Sequence, residues 1–326
     1  MFNSRRQISD WYAESKIPRE NIAKALSIAG VTPDKRDWQI FITRFLLWAG
    51  VSAIAVSFLF LIAYNWQDMA RLTRFAVAQT ALVISFLLYW RFQHLPTVSD
   101  CLLFLTSLVL GGLLALMGQT YQTGADSWQL FLLWASLLLP WVYTAQSNPL
   151  SLLTLSLLNL SLYLWLGVND GFHWQWWPSQ YSFFIWAFLL NTLALFVWES
   201  MLKKNTQHPT SAETHRWPLR LIGVAITLTV LGLGTLMITS EKVVFVPLSI
   251  TVTWVVGSYL YYKYRQQDLY FLTLLALLLI LLSGIGLIDW FFNGTTVSLL
   301  VSTVYMIAVS TLATAWLKRV NREFNS

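Results

Sequence analysis

The chain has 326 residues, 56% of them hydrophobic and only 11% charged, against roughly a quarter charged in an ordinary soluble domain. With a mean hydropathy of +0.57, that balance excludes a soluble globular protein and points to an all-α, polytopic transmembrane helical bundle, because its apolar runs are too long and too uniformly apolar for barrel strands. The net charge of +6 reads as a topology signal, and no nucleic-acid partner is implied.

Residues 1–38 are polar and are expected to form a cytoplasmic helical segment ahead of an integral membrane domain over 39–326. Apolar residues recur at helical spacing from Ile17 to Leu26, Pro18 suits a first turn, Gly30 suits a stop, and Thr32-Pro33-Asp34 reads as the cap of the next helix. The segment is read as a helical hairpin laid on the membrane surface or the bundle, with a docking module for a partner as the alternative. No small-residue cleavage site follows the first apolar run, so it is expected to stay in the bilayer as a span.

Apolar runs separated by turn signals predict about ten spans. They lie near Ile40–Tyr64, Leu72–Trp90, Leu102–Met117, Trp128–Tyr143, Leu150–Gly167, Tyr181–Leu202, Leu219–Ile238, Val243–Tyr262, Leu269–Ile288 and Val297–Leu317. With the amino terminus inside, only Arg71, Arg74 and Lys242 of the 21 basic residues fall outside, which places both termini in the cytoplasm.

This threading gathers polar and aromatic residues on the outer face. The candidate ligand- or partner-binding residues are Asn65 and Trp66 after the first span, and Gln119, Tyr121 and Asp126 in the outer connection Gly118–Ser127. Trp174, Trp176 and Trp177 on the same face read more simply as an interfacial belt.

Away from their ends the spans are read as free of ionisable residues, which disfavours a proton-driven antiporter. Gln79, Asn159 and Asn191 are expected to bridge helices, Gly111-Gly112, Gly232-x-Gly234 and Gly284-x-Gly286 to permit close approach, and Pro140 and Pro247 to bend their helices. No catalytic residue, cofactor or metal is implied: Cys101 stands alone, and the four histidines lack the spacing of a zinc pair. Phosphate-loop, dinucleotide and nucleophile-elbow motifs are also missing.

The element Gly118-Gln119-Thr120-Tyr121, followed by Gly124-Ala125-Asp126, Leu130–Ala135 and Leu139-Pro140, resembles the core pattern of the bacterial membrane proteins called the domain of unknown function 2157 family. Ala63-Tyr64-Asn65-Trp66, Trp11 and the Ile17–Ile22 segment are similar too, over roughly residues 8–150, with Tyr64 standing where a small residue is expected. The resemblance implies a bacterial inner-membrane protein with no agreed activity, of a kind often accompanied by a second membrane protein bearing a GDYxxLxY motif.

The expected function is that of a non-catalytic, multi-pass component whose partners are the lipid bilayer and another envelope membrane protein or envelope molecule at the outer face. The alternative is a transporter of a neutral or amphipathic, lipid-linked solute. An enzyme is disfavoured because no reactive cluster is legible.

Overall fold

The computed structural model describes residues 2–30, 32–64, 69–121, 124–169, 178–205, 216–240, 244–291 and 296–325. The described residues are helical with no strands, and ten helices are long and apolar enough to cross a membrane. The chain divides into two compact units, Met1–Thr123 and Gly124–Ser326.

In the first unit, α1 (Phe2–Ala13), a 3-10 turn (Arg19–Asn21) and α2 (Ile22–Ile28) precede the long helices α3 (Lys35–Tyr64), α4 (Arg71–Arg91) and α5 (Pro96–Tyr121). Gly30 ends the α2 segment with φ +64°, a left-handed conformation that glycine adopts without steric cost. Asp34 starts α3 with a reciprocal cap: its carboxylate accepts the Lys35 N–H at 2.7 Å, and its own N–H donates to Asp37 at 3.0 Å.

Helices α3 and α4 both pack on α5. Val51 and Ala55 of α3 meet Cys101, Leu105 and Val109 of α5, and the rings of Trp48 and Phe104 add an edge-to-face contact at 5.5 Å. Ala78 of α4 is wholly buried against Leu116.

The second unit holds α6 (Ser127–Ala145), α7 (Asn148–Val168), α8 (Ser182–Asn205), α9 (Trp217–Thr239), α10 (Phe245–Leu260), a π-helical turn (Tyr261–Arg265), α11 (Leu269–Phe291) and α12 (Thr296–Asn325). The connection from α6 to α7 is two residues long: Gln146 turns through φ +50° and Pro149 takes a first-turn position where no N–H is missed. Near the other end of this pair, the Ser161 hydroxyl donates to the Trp128 carbonyl at 2.9 Å.

At mid-helix, α7 and α8 are joined by an amide pair. Asn191 Nδ2 donates to Asn159 Oδ1 at 2.8 Å, Asn159 Nδ2 returns the bond at 3.2 Å, and each amide also donates to a carbonyl of its own helix. These two asparagines therefore bridge helices as their position in the sequence suggests, whereas Gln79 is exposed.

Helix α9 is the centre of this unit and packs on α8, α10 and α11. Its glycines set those distances: a Cβ on Gly232 would enter the ring of Phe184, one on Gly234 would strike Leu282, and one on Gly223 would lie 2.5 Å from the Phe271 ring. Gly284 of α11 likewise admits Met306 of α12. One expectation fails: Pro247 falls in the first turn of α10, where it replaces no intrahelical bond, so it has no reason to bend that helix. Pro140 does lie inside α6.

Two stability measurements follow from these contacts. Replacing Gly223 by Ala raises intrinsic helix propensity by about 1 kcal/mol, but Phe271 cannot retreat because it is stacked on Tyr262 at 4.0 Å. Overpacking costs about 1–3 kcal/mol, so Gly223→Ala should lower the unfolding temperature in detergent, and adding Phe271→Leu should recover part of the loss. In a double-mutant cycle, Asn159→Ala and Asn191→Ala should show a coupling of about 0.6–1.7 kcal/mol, the range of membrane-embedded hydrogen bonds. Additive losses would mean that the amide pair stabilises nothing.

Candidate functional site

Of the five residues assigned to the outer face, Asn65 and Trp66 lie outside the described residues, as do Trp174, Trp176 and Trp177. Gln119 and Tyr121 belong to the first unit and Asp126 to the second.

Gln119 and Tyr121 occupy the last turn of α5, which continues four residues beyond the predicted end at Met117. The expected loop residues Gly118 to Tyr121 are thus helical. A single glycine costs a helix only about 1 kcal/mol, too little to stop an apolar run of this length. The left-handed residue is Gly124, at φ +63°. Gln119 is exposed. Tyr121 is 64% exposed, and its ring leans on Phe75 of α4 at 5.8 Å with a 36° tilt.

Asp126 takes the N-cap position of α6 but makes no side-chain cap bond. Its carboxylate instead accepts the Trp128 indole N–H at 3.2 Å, which fixes an exposed negative charge beside a half-buried ring. The carbonyl of Trp128 is the one held by Ser161.

A second polar group joins α8, α9, the π-helical turn and α11, near the end of a span, where the sequence reading allows ionisable residues. Glu199 lies within the sixth candidate span, Ser179–Met201. Its Oε2 accepts the Tyr261 hydroxyl at 2.7 Å, Gln266 Nε2 donates to the Tyr261 oxygen at 3.2 Å, and Arg216 donates to Gln266 Oε1 at 3.2 Å. Arg216 also faces the buried Asp268 at 3.6 Å. Asp268 in turn caps α11 by accepting the Tyr270 N–H at 3.1 Å. Every donor in the chain from Arg216 to Glu199 points the same way, so each bond polarises the next and the carboxylate is the final acceptor. Glu199 Oε1 is buried with no hydrogen-bond partner.

Residue spacing conceals this network. Glu199 sits next to the polar end of its helix, where a carboxylate is ordinarily solvated. Tyr261 reaches it from a π turn closed by Gln266 N–H to Tyr261 C=O at 3.0 Å, a register that helical periodicity does not anticipate. The run Tyr261-Tyr262-Lys263-Tyr264 is the one signal that could have drawn notice. Tyr262 is buried on Phe271, while Lys263 donates to Tyr259 at 3.1 Å. The arrangement brings no nucleophile up to an acid–base pair; chemically it is a latch.

Removing the donor should expose how much the latch matters. Tyr261→Phe leaves the Glu199 carboxylate with its donor gone, which should cost about 1–3 kcal/mol in thermal or denaturant unfolding. Adding Glu199→Leu should restore part of that stability, because the stranded carboxylate is then removed as well.

Residues 9–151 match a family model described as "Predicted membrane protein (DUF2157)". No curated protein and no solved structure matches the chain. The matched segment runs from within α1 to the first turn of α7, so it includes Gln119, Tyr121 and Asp126 and excludes the Glu199 network. Over residues 9–151, then, this multi-helix membrane protein is similar to the DUF2157 family of predicted membrane proteins.

Proposed function

We propose that the protein is a non-catalytic, multi-pass component of a bacterial inner membrane that holds a partner protein or an envelope molecule at its outer face. Both termini are cytoplasmic in this reading, and residues 1–38 form a cytoplasmic segment ahead of the integral domain. The observation that carries it is the pair Gln119 and Tyr121, exposed on the last turn of an apolar helix. A tyrosine supplies apolar area and a hydroxyl at low entropic cost. Here its ring is already propped by Phe75, so it loses little further freedom on binding. The held carboxylate of Asp126 adds a fixed charge on the same predicted face.

The test combines topology with retention. A reporter fused after Thr123 should report from outside the cytoplasm. In gently solubilised membranes, Tyr121→Ala and Gln119→Ala should each weaken retention of the co-purifying partner or lipid, by about 5- to 30-fold for a binding anchor worth 1–2 kcal/mol. A cytoplasmic reporter, or retention unchanged in both variants, removes the proposed site.

A further inference from the structure

Between α11 and α12 the second unit leaves a groove of about 890 Å³. Gly284 lets Met306 come close, and beyond that contact the small side chains of Ser310 and Thr314 do not fill the space up to Ile285. The groove follows one stripe of α12 from Ser302 to Lys318. At about 1.5 Å per residue the 16 steps from Ser302 to Lys318 extend about 24 Å, longer than one leaflet of a hydrocarbon layer ~30 Å thick.

Two hydroxyls along this stripe are turned back to their own helix: Thr311 donates to the Ala308 carbonyl at 2.7 Å and Thr314 to the Ser310 carbonyl at 2.8 Å. A polar occupant or a peptide backbone would find little to bond there, whereas an acyl chain asks for nothing. The one charged residue lining the groove is Lys318, at the end where α12 passes into the polar run Lys318-Arg319-Val320-Asn321-Arg322. Among the described residues Lys318 has no carboxylate partner, since Glu323 faces Lys263.

An apolar channel of acyl-chain length with a lone cation at its mouth is complementary to a molecule that is apolar along its length and anionic at one end. We propose that the α11–α12 groove binds one anionic phospholipid, its acyl chain lying along Ile285, Met306 and Ser310 and its phosphate at Lys318. The proposal does not depend on the outer-face reading, since none of its residues belongs to that set.

Native mass spectrometry of the full chain, loaded with phosphatidylglycerol or phosphatidylcholine, tests it. The wild type should keep one phosphatidylglycerol per chain in preference to phosphatidylcholine. Lys318→Gln should weaken phosphatidylglycerol retention by about fivefold, the share of one basic residue near an anionic lipid, and leave phosphatidylcholine unchanged. Ser310→Phe, which places a ring across the groove, should abolish retention of both. A photoactivatable phosphatidylglycerol should label peptides containing Ile285 or Ser310 in the unmodified protein, a readout that holds even if Ser310→Phe folds poorly. Equal retention of the two lipids by the wild type, or no labelling of either peptide, overturns the proposal. So does displacement of the lipid by millimolar inorganic phosphate, which would make the site one for a free anion. A chain dimer that Ser310→Phe dissociates overturns it too, because the groove would then seat a second copy.

Discussion

The second unit depends on how closely its helices can approach α9. In a bilayer the lipid tails are as apolar as the side chains, so burying leucine gains little, and association rests on fit and on polar contacts. Gly223, Gly232 and Gly234 let Phe271, Phe184 and Leu282 advance to where a Cβ would stand. The buried cluster of Leu219, Ile222, Ile226 and Val230 with Leu272, Leu275 and Leu278 forms on that basis. Phe271 is the least adjustable piece, held between Gly223 on one side and the Tyr262 ring on the other.

Polar contacts act at two depths and differ in kind. The Asn159–Asn191 pair is neutral and self-complementary, so it closes without a charge. The Glu199 chain ends on a carboxylate and starts on a guanidinium, and it needs the π turn to bring Tyr261 into line. The many serines and threonines contribute less to cohesion than their number suggests. Most of their hydroxyls bond carbonyls three or four residues back on the same helix, as Thr154, Thr227 and Ser258 do. That habit makes such faces less polar than their composition suggests, as at Thr311 and Thr314 of the α12 stripe.

Much of the architecture is legible in residue order because the bilayer enforces it. Length and hydropathy alone place ten spans, and Gly30, Asp34 and Pro149 act at helix ends as their local chemistry dictates. The amide bridge is legible for a related reason: a mid-depth asparagine has few partners other than another helix. What escapes is whatever depends on register or on the strength of one breaker. Gly118 is too weak to end α5, so Gln119 and Tyr121 lie on a helix instead of in a loop. Pro247 looks like a bend but is a first-turn residue once α10 starts at Phe245. Glu199 looks solvated until the π turn sets a tyrosine over it.

The family match and the compact units do not share a boundary, and the difference bears on the candidate site. The first unit closes at Thr123, yet the matched segment continues through α6 into α7. A segment defined only by a self-contained three-span packing would have no reason to extend past α5. Its continuation takes in the stretch from Gly118 to Ser127, whose features are an exposed amide, a propped tyrosine, a left-handed glycine and a carboxylate held by an indole. A connection needed only for its length would be met by short polar residues and turn formers. Here, instead, the Tyr121 ring leans on Phe75 and the Asp126 carboxylate is held by the Trp128 indole, so two of its large or charged side chains are positioned by a specific neighbour.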